Sequence, residues 1–169
     1  MSRDFNPLAP SIWSSPRFFD LPDSDARLLA LYCIGGPHQT SAGCFRAKPG
    51  YVMADLGWPR AQYEAALDAI VTAGIVLHDP ATDEIYVLRW FTHKGNVPTN
   101  KDHAKGARKV IEKIDSPQLR AKAEEDFRAT EWGARAWPSP DEEADNPLDR
   151  PAWGTRSALE NSRLVRGVR

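Results

Sequence analysis

An α+β domain is what the residue pattern predicts, and three observations carry that expectation. A helix-period run over residues 60–73 ends at Gly74 and passes straight into two β-rich runs, 75–78 and 84–90. The string joining those runs, Asp79-Pro80-Ala81-Thr82-Asp83, is turn-forming, so the runs read as a hairpin. Amphipathic segments before and after the hairpin supply helices to cover it. The chain has 169 residues, of which 41% are apolar, which suits one domain with a core of its own. Its 14 prolines imply that part of it stands outside that core.

Residues 1–22 read as an irregular N-terminal arm, punctuated by Pro7, Pro10, Pro16 and Pro22. Phe5, Ile12, Trp13, Phe18 and Phe19 give this arm reason to dock on a core. A helix is expected from Asp23 or Ser24, either of which can accept from the first-turn amides. Leu28, Leu31 and Tyr32 follow at helical spacing, and Gly35-Gly36-Pro37 stops the run. Residues 42–47 are short and turn-flanked, as a strand would be, and 50–56 make a brief helix ending at Gly57. Pro59 suits the first position of the next helix, where a missing amide costs nothing. In that helix Tyr63, Ala66, Leu67 and Ile70 share a face, and Gly74 caps its end. Beyond the hairpin, 102–114 is amphipathic, with Ala107, Val110, Ile111 and Ile114 on one side. Ser116-Pro117 opens a last helix through Leu119, Ala123 and Phe127 to about residue 131. From 132 to 169 the chain is rich in Pro, acids and Arg and reads as a flexible tail.

The order helix, strand, short helix, glycine turn, helix, hairpin is that of a winged helix-turn-helix, over residues 23–91. Two additional C-terminal helices, over 92–131, complete the expected domain. The glycine turn at Gly57 lets two helices cross steeply, so that Leu56, Tyr63, Leu67 and Ile70 bury against the first helix.

The formal net charge of −1 conceals strong segregation. Residues 92–114 carry 6 basic and 2 acidic side chains, and 150–169 carry 5 and 1. Acidic neighbours offset both segments, so a near-neutral sum does not exclude a nucleic-acid partner. Lys101, Lys105, Arg108, Lys109 and Lys113 spread over an arc of about 140° at 100° per residue, opposite the apolar side. With Lys94 they are the first candidates for phosphate contact. The helix at 60–73 offers less. Arg60, Gln62 and Thr72 are its useful donors, whereas Glu64 and Asp68 repel phosphate and Ala61, Ala65 and Ala69 contribute no donor. Residues 79–84 at the wing tip hold three acids and no cation. In the tail, Arg150, Arg156, Arg163, Arg166 and Arg169 with Trp153 suit charge and stacking contacts with nucleic acid.

From Trp13 to about Phe127 the chain resembles the winged-helix module of phage and prophage replication proteins, related to DnaD-type primosomal N-terminal domains. The residues carrying the resemblance are Trp13, Pro16-Arg17-Phe18, Leu28 to Tyr32 running into Gly36-Pro37-His38, and Gly43-Cys44-Phe45-Arg46. The helix-turn-helix, Ile85 to Phe91, and Asn100-Lys101 with Lys105-Gly106 complete it. The resemblance implies a double-stranded DNA-binding protein acting in replication initiation, working in the cytoplasm of a bacterial cell or phage-infected host, with replisome proteins or self-association as further contacts. Two other readings stay open: a protein-interaction module that does not touch DNA, and a transcriptional regulator on the same fold.

No enzymatic signature is present: there is no P-loop, dinucleotide glycine pattern, nucleophile elbow or paired-histidine motif. No small-molecule substrate, cofactor or membrane span is expected, since no apolar run approaches the roughly 18 residues a span needs. Cys33, His38 and Cys44 are spaced more widely than zinc ligand pairs, and buried thiols beside a loop histidine are the expectation. Two cysteines cannot make a disulfide framework.

Overall fold

Helix α2 (Ser24–Gly35) starts where the sequence supplies a cap: the Ala26 N–H donates to Asp23 Oδ1 at 2.8 Å. The computed structural model describes residues 8–138. In chain order, α2 is preceded by a 3-10 turn at Pro10–Ser14 and by the single-turn α1 (Pro16–Phe19). It is followed by β1 (Cys44–Arg46), α3 (Pro49–Leu56), α4 (Arg60–Thr72), β2 (Val76–Asp79) and β3 (Glu84–Val87). A second 3-10 turn (Trp90–Thr92) leads to α5 (Lys101–Ile111), α6 (Pro117–Arg128) and α7 (Glu131–Ala136). The architecture is α+β, with an antiparallel sheet in the order β1-β3-β2, compatible with a winged-helix-like arrangement.

Each face of that sheet meets different helices. Alternate residues of a strand point to opposite faces. Glu84 and Tyr86 of β3 reach α6, where the Tyr86 hydroxyl donates to Asp126 Oδ2 at 2.8 Å. Ile85 and Val87 point the other way, toward α2, against which α4 packs its Tyr63, Ala66, Leu67 and Ile70. Gly74, at φ +65°, reverses the chain between α4 and β2 in a conformation that a side chain resists. β3 stops earlier than the expected run to residue 90, because Arg89 takes φ +60° and turns the Trp90 ring inward. There the ring lies against Gly43, leaving no room for a Cβ.

The arm docks through fewer side chains than its composition suggests. Phe18 and Leu21 are buried and Ile12 partly so, but Trp13 and Phe19 stay 60% and 71% exposed. Within it the Arg17 guanidinium donates to the Gly74 carbonyl at 3.0 Å, tying arm to hairpin. Phe5 lies outside the described residues.

The expected start of the tail at residue 132 is corrected. Thr130 caps a further helix, α7, by accepting from the Gly133 N–H at 3.0 Å. Phe127, fully buried, stands edge-on to Phe91 and to Trp137 at centroid distances of 5.2 and 6.4 Å. Six residues are too few for a periodic signal, so the helix was not readable. The rest of the expected tail, with its five arginines, lies outside the described residues.

Candidate nucleic-acid interface

α5 begins at Asn100, whose Oδ1 accepts from the His103 N–H at 2.8 Å. Ala104, Ala107 and Ile111 then face the core, which turns Lys101, Lys105 and Lys109 outward, with Lys113 just past the helix end. These four lysines are exposed, and none forms an ion pair within the described residues. At 1.5 Å rise per residue, Lys101 and Lys109 stand about 12 Å apart along the axis, with successive lysines rotated by about 40°. The result is a row of free ammonium groups on one flank of the domain.

Arg108 does not belong to that row. Its Nε donates to Glu112 Oε1 at 2.8 Å, and another guanidinium nitrogen donates to the Ala136 carbonyl at 2.7 Å. The guanidinium also lies 4.8 Å from the centre of the Trp137 ring. This side chain fastens α7 to α5. Lys94 sits elsewhere too, on the turn after Trp90–Thr92, where it lines a cavity together with Arg17, Arg89 and His93.

The two remaining candidates on α4 are engaged. Gln62 donates to Asp25 Oδ2 on α2 at 2.7 Å, so it braces the helix pair and is half-buried. Arg60 stays exposed but meets Glu64 at 3.3 Å. Ala61, Glu64, Ala65, Asp68 and Thr72 do form the outward face, as their spacing predicts, but Ala69, expected with them, is half-buried against the core. α4 packs on α2 and β2 whereas α5 packs on α6 and α7, so the lysine row and the α4 face belong to different helix groups and the eight candidates do not form one patch.

Two of the three acids of the wing, Glu84 and Asp79, have structural partners. Glu84 is 6% exposed and accepts from the Asp115 and Ser116 N–H groups at 3.0 and 2.7 Å, at the entry to α6. The Ser116 hydroxyl and the Ala81 N–H hold the Asp79 carboxyl below the usual carboxylate range. An acidic hairpin tip is therefore anchored to the C-terminal helices. The one sequence signal of this arrangement was Ser116-Pro117, which marks where a helix begins but not what accepts its free amides.

Cys33 and Cys44 are free and buried, and burial pushes the Cys33 thiol up to about 12. His38 is on the surface, its Nε2 3.4 Å from Asp55 Oδ2. No group of three or more His, Cys, Asp or Glu side chains is arranged to hold a metal among the described residues. Among those residues no helix is long and apolar enough to cross a membrane.

No protein-family model, no curated protein and no solved structure matches this chain.

Proposed function

We propose that the chain is a winged-helix, double-stranded DNA-binding protein of the phage or prophage replication-initiation kind, holding duplex through phosphate contacts from α5. The observation that carries this reading is the row Lys101, Lys105, Lys109 and Lys113, exposed and free of carboxylate partners within the described residues. Phosphate contact is sequence-independent and releases counterions. The binding expected is therefore salt-sensitive and tolerant of sequence. The replication role rests on the resemblance carried by the residues from Trp13 to Phe127, and a helicase or loader gene beside this one would support it.

Fluorescence anisotropy with a random duplex over a series of salt concentrations tests the reading. Four phosphate contacts give a log–log slope of about −3.6. Lys105→Glu with Lys109→Glu abolishes the binding. Binding that the double variant leaves unchanged, with its salt slope, would sink the α5 assignment.

A protein-interaction module is the second reading, favoured by the α4 face, where Arg60 is paired with Glu64 and no free cation remains. Absence of salt-sensitive duplex binding at micromolar protein decides for it.

A further inference from the structure

The arm and the end of the hairpin enclose a cavity of about 680 Å³, a size typical of small-molecule sites. Ile12 and Phe18 of the arm form one apolar wall, and Ile75 and Leu88 another. Among the described residues no carboxylate lines it, whereas Arg17, Arg89, Lys94 and His93 all do. Arg17 is committed in part to the Gly74 carbonyl. Arg89 and Lys94 are exposed and have no ion pair within the described residues. Arg89 is moreover held at φ +60°, a conformation uncommon for residues other than glycine and one that collects at binding sites.

We propose that this cavity is a binding site for a small carboxylate with an apolar body. The carboxylate meets the Arg89 guanidinium and the Lys94 ammonium through charge-assisted hydrogen bonds. The apolar body lies between arm and hairpin. Binding thereby clamps the arm, through Ile12 and Phe18, onto the hairpin. This site is separate from the α5 row and does not depend on DNA binding.

Isothermal titration of the full chain with N-acetyl-L-phenylalanine and its neutral amide tests the site. The acid binds saturably, and about tenfold more tightly than the amide, the difference expected for one charge-assisted hydrogen bond. Arg89→Gly suits the positive φ, so it removes the guanidinium without backbone cost, and with Lys94→Ala it removes the preference for the acid. The amide keeps its wild-type affinity in the double variant, because its apolar body still lies between arm and hairpin. That comparison separates loss of the charge from loss of folding. No saturable binding of the acid, equal affinity for acid and amide, or a preference that survives the Arg89 and Lys94 changes would each overturn the proposal.

Discussion

The Glu84 carboxylate accepts from the Ser116 backbone N–H at 2.7 Å, across 32 positions of sequence, and so joins the wing to the entry of α6. Its other oxygen accepts from Asp115 N–H at 3.0 Å. A glutamine there has one acceptor oxygen and turns an amino group toward an amide donor. Glu84→Gln is expected to cost about 2 kcal/mol, as an unsatisfied buried group does. Urea unfolding measures it, and a change within about 0.5 kcal/mol would show the tie to be dispensable.

Burial holds the His78 imidazole below its ordinary value of 6.5, while Asp83, Asp79 and Asp68 pull the other way. The unfolded chain then binds protons before the folded one does. The stability His78 contributes is complete above pH about 6.5 and is lost as pH falls from there toward the folded value. The urea midpoint of the wild type is expected to drop between about pH 7.5 and about pH 5.5 by more than that of His78→Leu, which cannot titrate. Equal drops in the two proteins would remove His78 as the cause.

Gly43 sits at φ +73° with the Trp90 ring where a Cβ would go. Gly43→Ala combines backbone strain with overpacking of a fully buried ring and is expected to cost about 3 kcal/mol. The loss of the folded baseline in near-ultraviolet circular dichroism reports it. A stability equal to wild type would mean that Trp90 can move aside.

Arg108 and Lys109 are neighbours in sequence with different work. Arg108→Ala breaks the contacts to Ala136, Glu112 and Trp137 and is expected to cost about 1–2 kcal/mol. Proteolysis within 131–137 then accelerates while the salt slope of duplex binding holds. Lys105→Ala with Lys109→Ala does the reverse, lowering the slope by about 2 with stability unchanged. If Arg108→Ala moved the slope and the lysine pair did not, the roles assigned to them would be exchanged.

Much of the fold was legible because its signals are local. The Asp23 cap, the apolar face of α4, the Gly74 turn and the hairpin each span a few residues whose conformational preferences agree. The amphipathicity of α5 likewise identified Lys101, Lys105, Lys109 and Lys113 as outward-facing. The site was less legible, since a side chain's partner need not be near in sequence. Gln62 looked like a free donor on an outward helix but meets Asp25, 37 positions earlier. Arg108 looked like one more cation but meets Ala136, 28 positions later. Charge alone groups Lys94 with α5, but the turn that carries it opens on a cavity instead.

Periodicity and capping residues, read along the chain, were enough for the α+β class, the order of most elements and the charge on α5. They act over one or two turns, so the covalent order already contains them. Which donors remain free, why the wing is acidic, and how Arg89, Lys94 and Asn96 come to line one cavity depend on contacts between distant segments. Those contacts arise when burial brings β3 against α6 and the arm against the hairpin, since a buried polar group must then find a partner wherever the fold supplies one.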